Sequence, residues 1–78
     1  MTKEEFVAMF PIGVRISWFD PRDKKWYPGM VVPPDKDYKI VPQHEPRVWF
    51  QLNRDKDEES RFVTYKYRDR LKADSFKV

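Results

Sequence analysis

Gly13-Val14-Arg15-Ile16-Ser17-Trp18 and Trp26-Tyr27-Pro28-Gly29-Met30-Val31-Val32 are the two stretches on which the fold turns. In the first, Val14, Ile16 and Trp18 alternate with Arg15 and Ser17, the period-two pattern of a strand with one buried face. The connector, residues 19–25, is charged, and Asp20-Pro21 supplies turn chemistry. Pairing the two runs as a hairpin gathers Trp18, Phe19, Trp26 and Tyr27 at the end next to the turn. Pro28 lacks a ladder donor, which predicts that the second strand lies at a sheet edge or carries a bulge there. Gly29 fits a bulge or sharp bend.

Upstream, Thr2-Lys3-Glu4-Glu5 has the form of a capping box, with Thr2 as N-cap and Glu5 reaching back. Phe6, Met9 and Phe10 follow as one apolar stripe, and Pro11 and Gly13 end the helix. So short a helix needs a surface to lie on, and it is expected to plug one end of the sheet. Downstream, residues 33–46 contain four prolines and a charged run, an excursion in which 38–41 can form a short extra strand. Residues 47–52 alternate again, with Val48, Phe50 and Leu52 on one face and Arg47, Trp49 and Gln51 on the other. A solvated turn over 53–60 leads to a fourth strand over 61–67, rich in residues that suit a pleat. Residues 68–71 read as a single helical turn anchored by Leu71, and 73–78 as a tail from which Phe76 folds back.

The chain of 78 residues is one domain, too small to draw more than roughly 3–5 kcal/mol from an unstapled core. It has no cysteine, so neither disulfides nor thiolate metal sites are available, and the core must rest on aromatic residues, 17% of the chain. The net charge of +3 is unevenly spread: residues 61–78 carry six basic and two acidic side chains, and residues 21–60 eight of each. The excess therefore forms a local basic face. No apolar run approaches a membrane span. Glu4 and Glu5 stand where a signal peptide carries basic residues. A soluble intracellular protein is expected, nuclear if associated with eukaryotic chromatin and otherwise cytoplasmic.

Several catalytic and metal chemistries find no footing. Asn53, Asp55 and Asp57 have the spacing that opens a calcium loop, but Glu58 replaces its required glycine and Thr64 its closing carboxylate. The lone histidine, His44, sits in the proline-rich loop without ligand partners. Ser17, Ser60 and Ser75 have no surrounding nucleophile motif, and two glycines make no phosphate cradle. The expectation is a non-catalytic chain with no metal and no cofactor. Short strands at close spacing favour an all-β, five-stranded barrel with a short N-terminal helix and a C-terminal helical turn.

At this point the hairpin 13–31, the Val48-Trp49-Phe50 strand, the acidic turn and the close at Arg68-Asp69-Arg70-Leu71 resemble Tudor and Agenet domains. These are SH3-like barrels, related to chromo-barrel and PWWP modules. The resemblance spans residues 13–72, between a helical segment at 1–12 and the tail, with a loop over 33–46 longer than such domains usually carry. It implies a binding module that recognises a protein peptide, with a methylated lysine or arginine held over aromatic faces by cation–π attraction. By position, the cage would comprise Trp18, Tyr27 and Phe50, with Asn53 as its polar contact. The plainer reading makes these rings the core of a small barrel.

Trp26 and Trp49 fall on opposite faces from their neighbours, where they cover the helix or form an exposed contact patch. A second functional reading uses Arg61, Lys66, Arg68, Arg70 and Lys72, interleaved with Phe62, Tyr65 and Tyr67, to bind nucleic acid through phosphates and stacking. A third makes the chain a structural accessory whose aromatic patch is buried in an oligomer.

Overall fold

The computed structural model describes residues 1–35, 45–55 and 60–74. The short strand expected over 38–41, His44, Asp57 and Phe76 lie outside the described residues. Five strands, β1 (Arg15–Asp20), β2 (Lys25–Val31), β3 (Arg47–Leu52), β4 (Arg61–Thr64) and β5 (Leu71–Ala73), form one antiparallel sheet in the order β4-β3-β2-β1-β5. The sheet curls into half a barrel, a small barrel-like fold. No helix among the described residues is long and apolar enough to cross a membrane.

Strand registers decide which side chains share a face. Trp18 pairs with Tyr27 and Ile16 with Gly29 across β1 and β2; Val31 pairs with Phe50 and Gly29 with Leu52 across β2 and β3. Val48 pairs with Val63, and Trp18 with Leu71. Ile16, Val31, Val48, Phe50, Leu52, Val63 and Leu71 thus line the concave face and are buried together with Phe6 and Phe10. Each such side chain is worth about 1.5–3 kcal/mol of apolar burial.

The N-terminal helix α1 (Lys3–Ala8) forms through the capping box read from the sequence. The Glu5 amide donates to Thr2 Oγ1 at 3.1 Å, and the Thr2 amide donates to Glu5 Oε1 at 3.2 Å. Phe6 and Phe10 enter the core edge-to-face at 5.4 Å, and Phe6 meets Tyr65 at 6.0 Å. Met9, expected on the same stripe, remains exposed. The chain enters the sheet through a bulge: the Gly13 amide donates to the Val31 carbonyl while the Val31 amide donates to the Val14 carbonyl. Gly13 has φ of 94°, a left-handed conformation that glycine adopts without steric cost.

Two expectations are corrected. β2 is not an edge strand, because it pairs with both β1 and β3. Pro28 is accommodated at the end of the β3 ladder, where its carbonyl accepts from the Asn53 amide at 3.0 Å. Its missing N–H faces the same side, so only one ladder bond is lost. Gly29 is likewise no bulge. It sits in register between Ile16 and Leu52, and a Cβ there would lie 2.5 Å from the Gln51 carbonyl oxygen.

The fourth strand stops at Thr64, and Tyr65–Arg70 form 3-10 turns that carry the chain from the β4 edge to the far side of β1. There residues 71–73, read as the end of a helical turn and the start of a tail, make the fifth strand, β5, against Ile16, Ser17 and Trp18. One edge of the sheet is thereby tied to the other by a short, tightly wound connection.

Candidate functional site

We call the hairpin end of the concave face, where Trp18, Tyr27 and Asp20 stand, the mouth. Trp18 and Tyr27 are register partners and therefore project to one side. The Trp18 ring lies 5.8 Å from Phe50, which is 0% exposed and forms the floor. Both Trp18 and Tyr27 are half-buried. Asn53 does not join them: it lines a depression with Arg15, Ser17, Pro28, Met30 and Asp74 on the opposite face.

Cations already lie over the two rings. The Arg54 guanidinium stacks 4.0 Å above the Tyr27 centroid, and the Arg61 guanidinium lies 5.2 Å from that of Trp18. Each is anchored to a carboxylate. Arg54 Nη2 donates to Asp20 Oδ2 at 3.1 Å. Arg61 grips Asp55 through Nε at 3.1 Å and Nη2 at 3.3 Å, a bidentate geometry that fixes orientation.

Asp20 is the centre of this network, at 2% exposure. A buried carboxylate is costly unless fully paired. Here the Arg22 side chain donates to both oxygens, at 3.2 and 3.1 Å, and the Arg22 amide adds a third bond at 3.0 Å. Strand parity put it there, since Asp20 continues the inward series Ile16, Trp18. The Arg22 side chain, the Arg22 amide and Arg54 hold the Asp20 carboxyl well below the usual carboxylate range. Arg61 likewise lowers that of Asp55, which also accepts from the Leu52 amide. The Tyr27 hydroxyl donates to Asp23, and that hydrogen bond, together with burial, raises the phenol above its ordinary value.

These shifts have a sign. A carboxylate that is more acidic folded than unfolded stabilises the fold above its unfolded value of about 3.9 and loses that contribution as pH falls toward the folded value. Thermal melts between about pH 7 and 2.5 should show the wild-type Tm falling steeply below about pH 4. Asp20→Asn should melt lower at neutral pH but lose less on acidification. Parallel acid limbs for the two proteins would exclude Asp20 as their source.

The basic segment divides. Arg61 faces the mouth with Asp55, apart from Lys66, Arg68 and Arg70 in the 3-10 turns and Lys72 in β5. Arg68 lies 4.3 Å over Tyr65, and its Nη1 donates to the Tyr65 carbonyl at 3.1 Å. Tyr67, exposed, is flanked by Arg70 at 4.5 Å and Lys66 at 5.5 Å.

No protein-family model matches the chain, and neither a curated protein nor a solved structure matches it.

Of the arginines and carboxylates of the mouth, Arg61 was singled out from the sequence only for nucleic acid and Asp55 only for a calcium loop, and Asp20 and Arg54 were assigned to no site. Asp20 pairs with Arg54 across 34 positions, a separation no local pattern reports. What was legible is the inward parity of Asp20, a charge at a position where an apolar residue is expected.

Proposed function

We propose that the chain is an SH3-like barrel of the Tudor/Agenet type, a non-catalytic module that recognises a peptide through a cationic side chain at the mouth. The observation that carries this reading is the pair of guanidiniums over Tyr27 and Trp18, each held by a carboxylate. The mouth is thus suited to a positive charge over ring faces, with the carboxylates of Asp20 and Asp55 beside them. A methylated lysine or arginine of a partner peptide suits it, since a desolvated cation over a ring is worth roughly 0.5–2 kcal/mol. Entry displaces Arg54 or Arg61, so the intramolecular cation competes with the ligand and keeps affinity modest.

The test is an NMR titration with trimethyl-lysine, dimethyl-arginine and unmodified peptides. Shifts should cluster at Trp18 and Tyr27, and Tyr27→Ala should weaken binding about tenfold, one cation–π contact's worth. Arg54→Ala should tighten it by removing the competitor. Methylated and unmodified peptides binding alike, with shifts elsewhere, would refute the reading, and so would a Tyr27→Ala chain that no longer folds, which makes the rings core.

A second reading, nucleic-acid binding by the C-terminal basic segment, is favoured by exposed Tyr67 between Lys66 and Arg70, with Arg68 and Lys72 alongside. It requires affinity that falls steeply with salt and that Arg68→Gln or Arg70→Gln weakens.

A further inference from the structure

The outer face of the sheet carries rings that the mouth does not use. At one corner Phe19 and Trp26 pack at 5.3 Å, with the Lys72 ammonium 4.3 Å over Trp26. At the opposite corner Trp49 and Phe62 pack at 5.1 Å, with the Arg47 guanidinium 4.3 Å over Phe62. Each corner is therefore the same unit: two rings and a cation, with one ring turned to solvent. Trp26 is 40% exposed and Phe62 46%.

The ground between the corners is polar. Along the strands they are separated by roughly 20 Å, six residues of rise from the level of Trp26 to that of Trp49 and Phe62. The depression lined by Arg15, Ser17, Met30, Asn53 and Asp74 lies between them. The five strands place no carboxylate on this face; Asp74, just past β5, accepts the Ser17 hydroxyl at 2.9 Å. Arg15, Arg47 and Lys72 leave the face positive.

We propose that this outer face binds single-stranded nucleic acid, with bases stacked on Trp26 and Phe62 and phosphates met by Lys72, Arg47 and Arg15. Flat rings with cations over them, repeated at two separated points, serve alternating bases and phosphates once Lys72 and Arg47 swing from the ring faces to the phosphates. An apolar partner would want a continuous patch, and here a polar depression splits the rings. An acidic peptide would use the cations and leave the rings idle. The span corresponds to about six nucleotides at the ~3.4 Å stacked rise. Hydroxyl and amide groups of Ser17 and Asn53 offer hydrogen bonds to base edges between the two stacking points. The proposal is independent of the peptide site, and shares Phe62 and Lys72 with the nucleic-acid reading of the C-terminal segment.

Fluorescence anisotropy with the whole chain and an oligothymidylate of about ten nucleotides tests it. Binding should quench tryptophan emission and fall with salt at a logarithmic slope near −2, for three phosphate contacts on a single strand. Trp26→Ala and Phe62→Ala should each weaken binding about tenfold, as loss of one stacked base does. Lys72→Gln, which removes no ring and lies on an exposed position, should reduce the salt slope by about one contact's share. Absence of binding, full affinity in both ring variants, or equal affinity for polyglutamate or a DNA duplex would overturn the proposal. Loss confined to Arg68→Gln and Arg70→Gln would assign the ligand to the 3-10 segment instead.

Discussion

Gly29→Ala should remove most of the protein's stability. The added Cβ lies 2.5 Å from the Gln51 carbonyl oxygen and 3.1 Å from Leu52 Cα, so the obstruction is backbone, with no side chain to rotate away. Gly29 is held from both sides, by Ile16 in β1 and Leu52 in β3. Relief therefore requires prising β2 from β3 across the middle of the sheet. Overpacking commonly costs about 1–3 kcal/mol, and a rigid backbone contact belongs at or above the top of that range. That compares with a total of only about 3–5 kcal/mol for a core of this size. Urea and thermal melts followed by circular dichroism measure it directly. A variant within about 1 kcal/mol of wild type would mean that the β2–β3 spacing yields easily.

Phe50→Ala should be at least as damaging, for a different reason. The side chain is fully buried, touches the Trp18 ring, and stands opposite Val31 and Arg61 in the centre of the sheet. Truncation removes its transfer free energy and leaves a cavity, about 3–5 kcal/mol together. The consequence for function is diagnostic. Phe50 supports Trp18 from beneath, so loss of ligand in this variant accompanies loss of fold, whereas Tyr27→Ala separates the two. Phe50→Leu, which keeps most of the volume, should restore folding and leave peptide affinity near wild type. A folded Phe50→Leu that fails to bind would place the ring in direct contact with ligand.

The hairpin, β3 and the capped helix were legible because each is local. Alternation at 14–18 and 47–52 reports a face directly, and a capping box needs only four residues. β5 was not legible, since three residues with Lys72 at their centre carry no period, and only pairing with Ile16–Trp18 makes them a strand. The 3-10 turns at 65–70 were hidden for a related reason. Tyr-Lys-Tyr-Arg suits a pleat locally, but the chain has to turn there to reach the other side of β1. Pro28 misled because its rule concerns strands that need both ladder bonds, and the β3 ladder ends at that residue.

For the candidate site, the sequence brought Trp18, Tyr27 and Phe50 to one face, and strand parity sent Asn53 to the other. The ionic lining of the mouth depends on Arg54 and Arg61 folding back from beyond β3 onto rings of β1 and β2. That is a tertiary fact with no sequence period. The outer-face rings were visible as Trp26 and Trp49 facing away from their neighbours. Their union with Phe19, Phe62 and two cations needed the strand order.

The short connection from β4 through the 3-10 turns to β5 has a bearing on colloidal behaviour. Any sheet that stops short of closure leaves a row of backbone donors and acceptors at each margin, a template on which another chain can add. Here those margins are four and three residues long, β4 and β5, and consecutive in sequence. Lys72 occupies the middle of one, and Arg61 begins the other. An incoming strand would find too few positions to register and a positive charge at each. The two margins are therefore poor templates for ribbon growth, although the barrel is only half drawn.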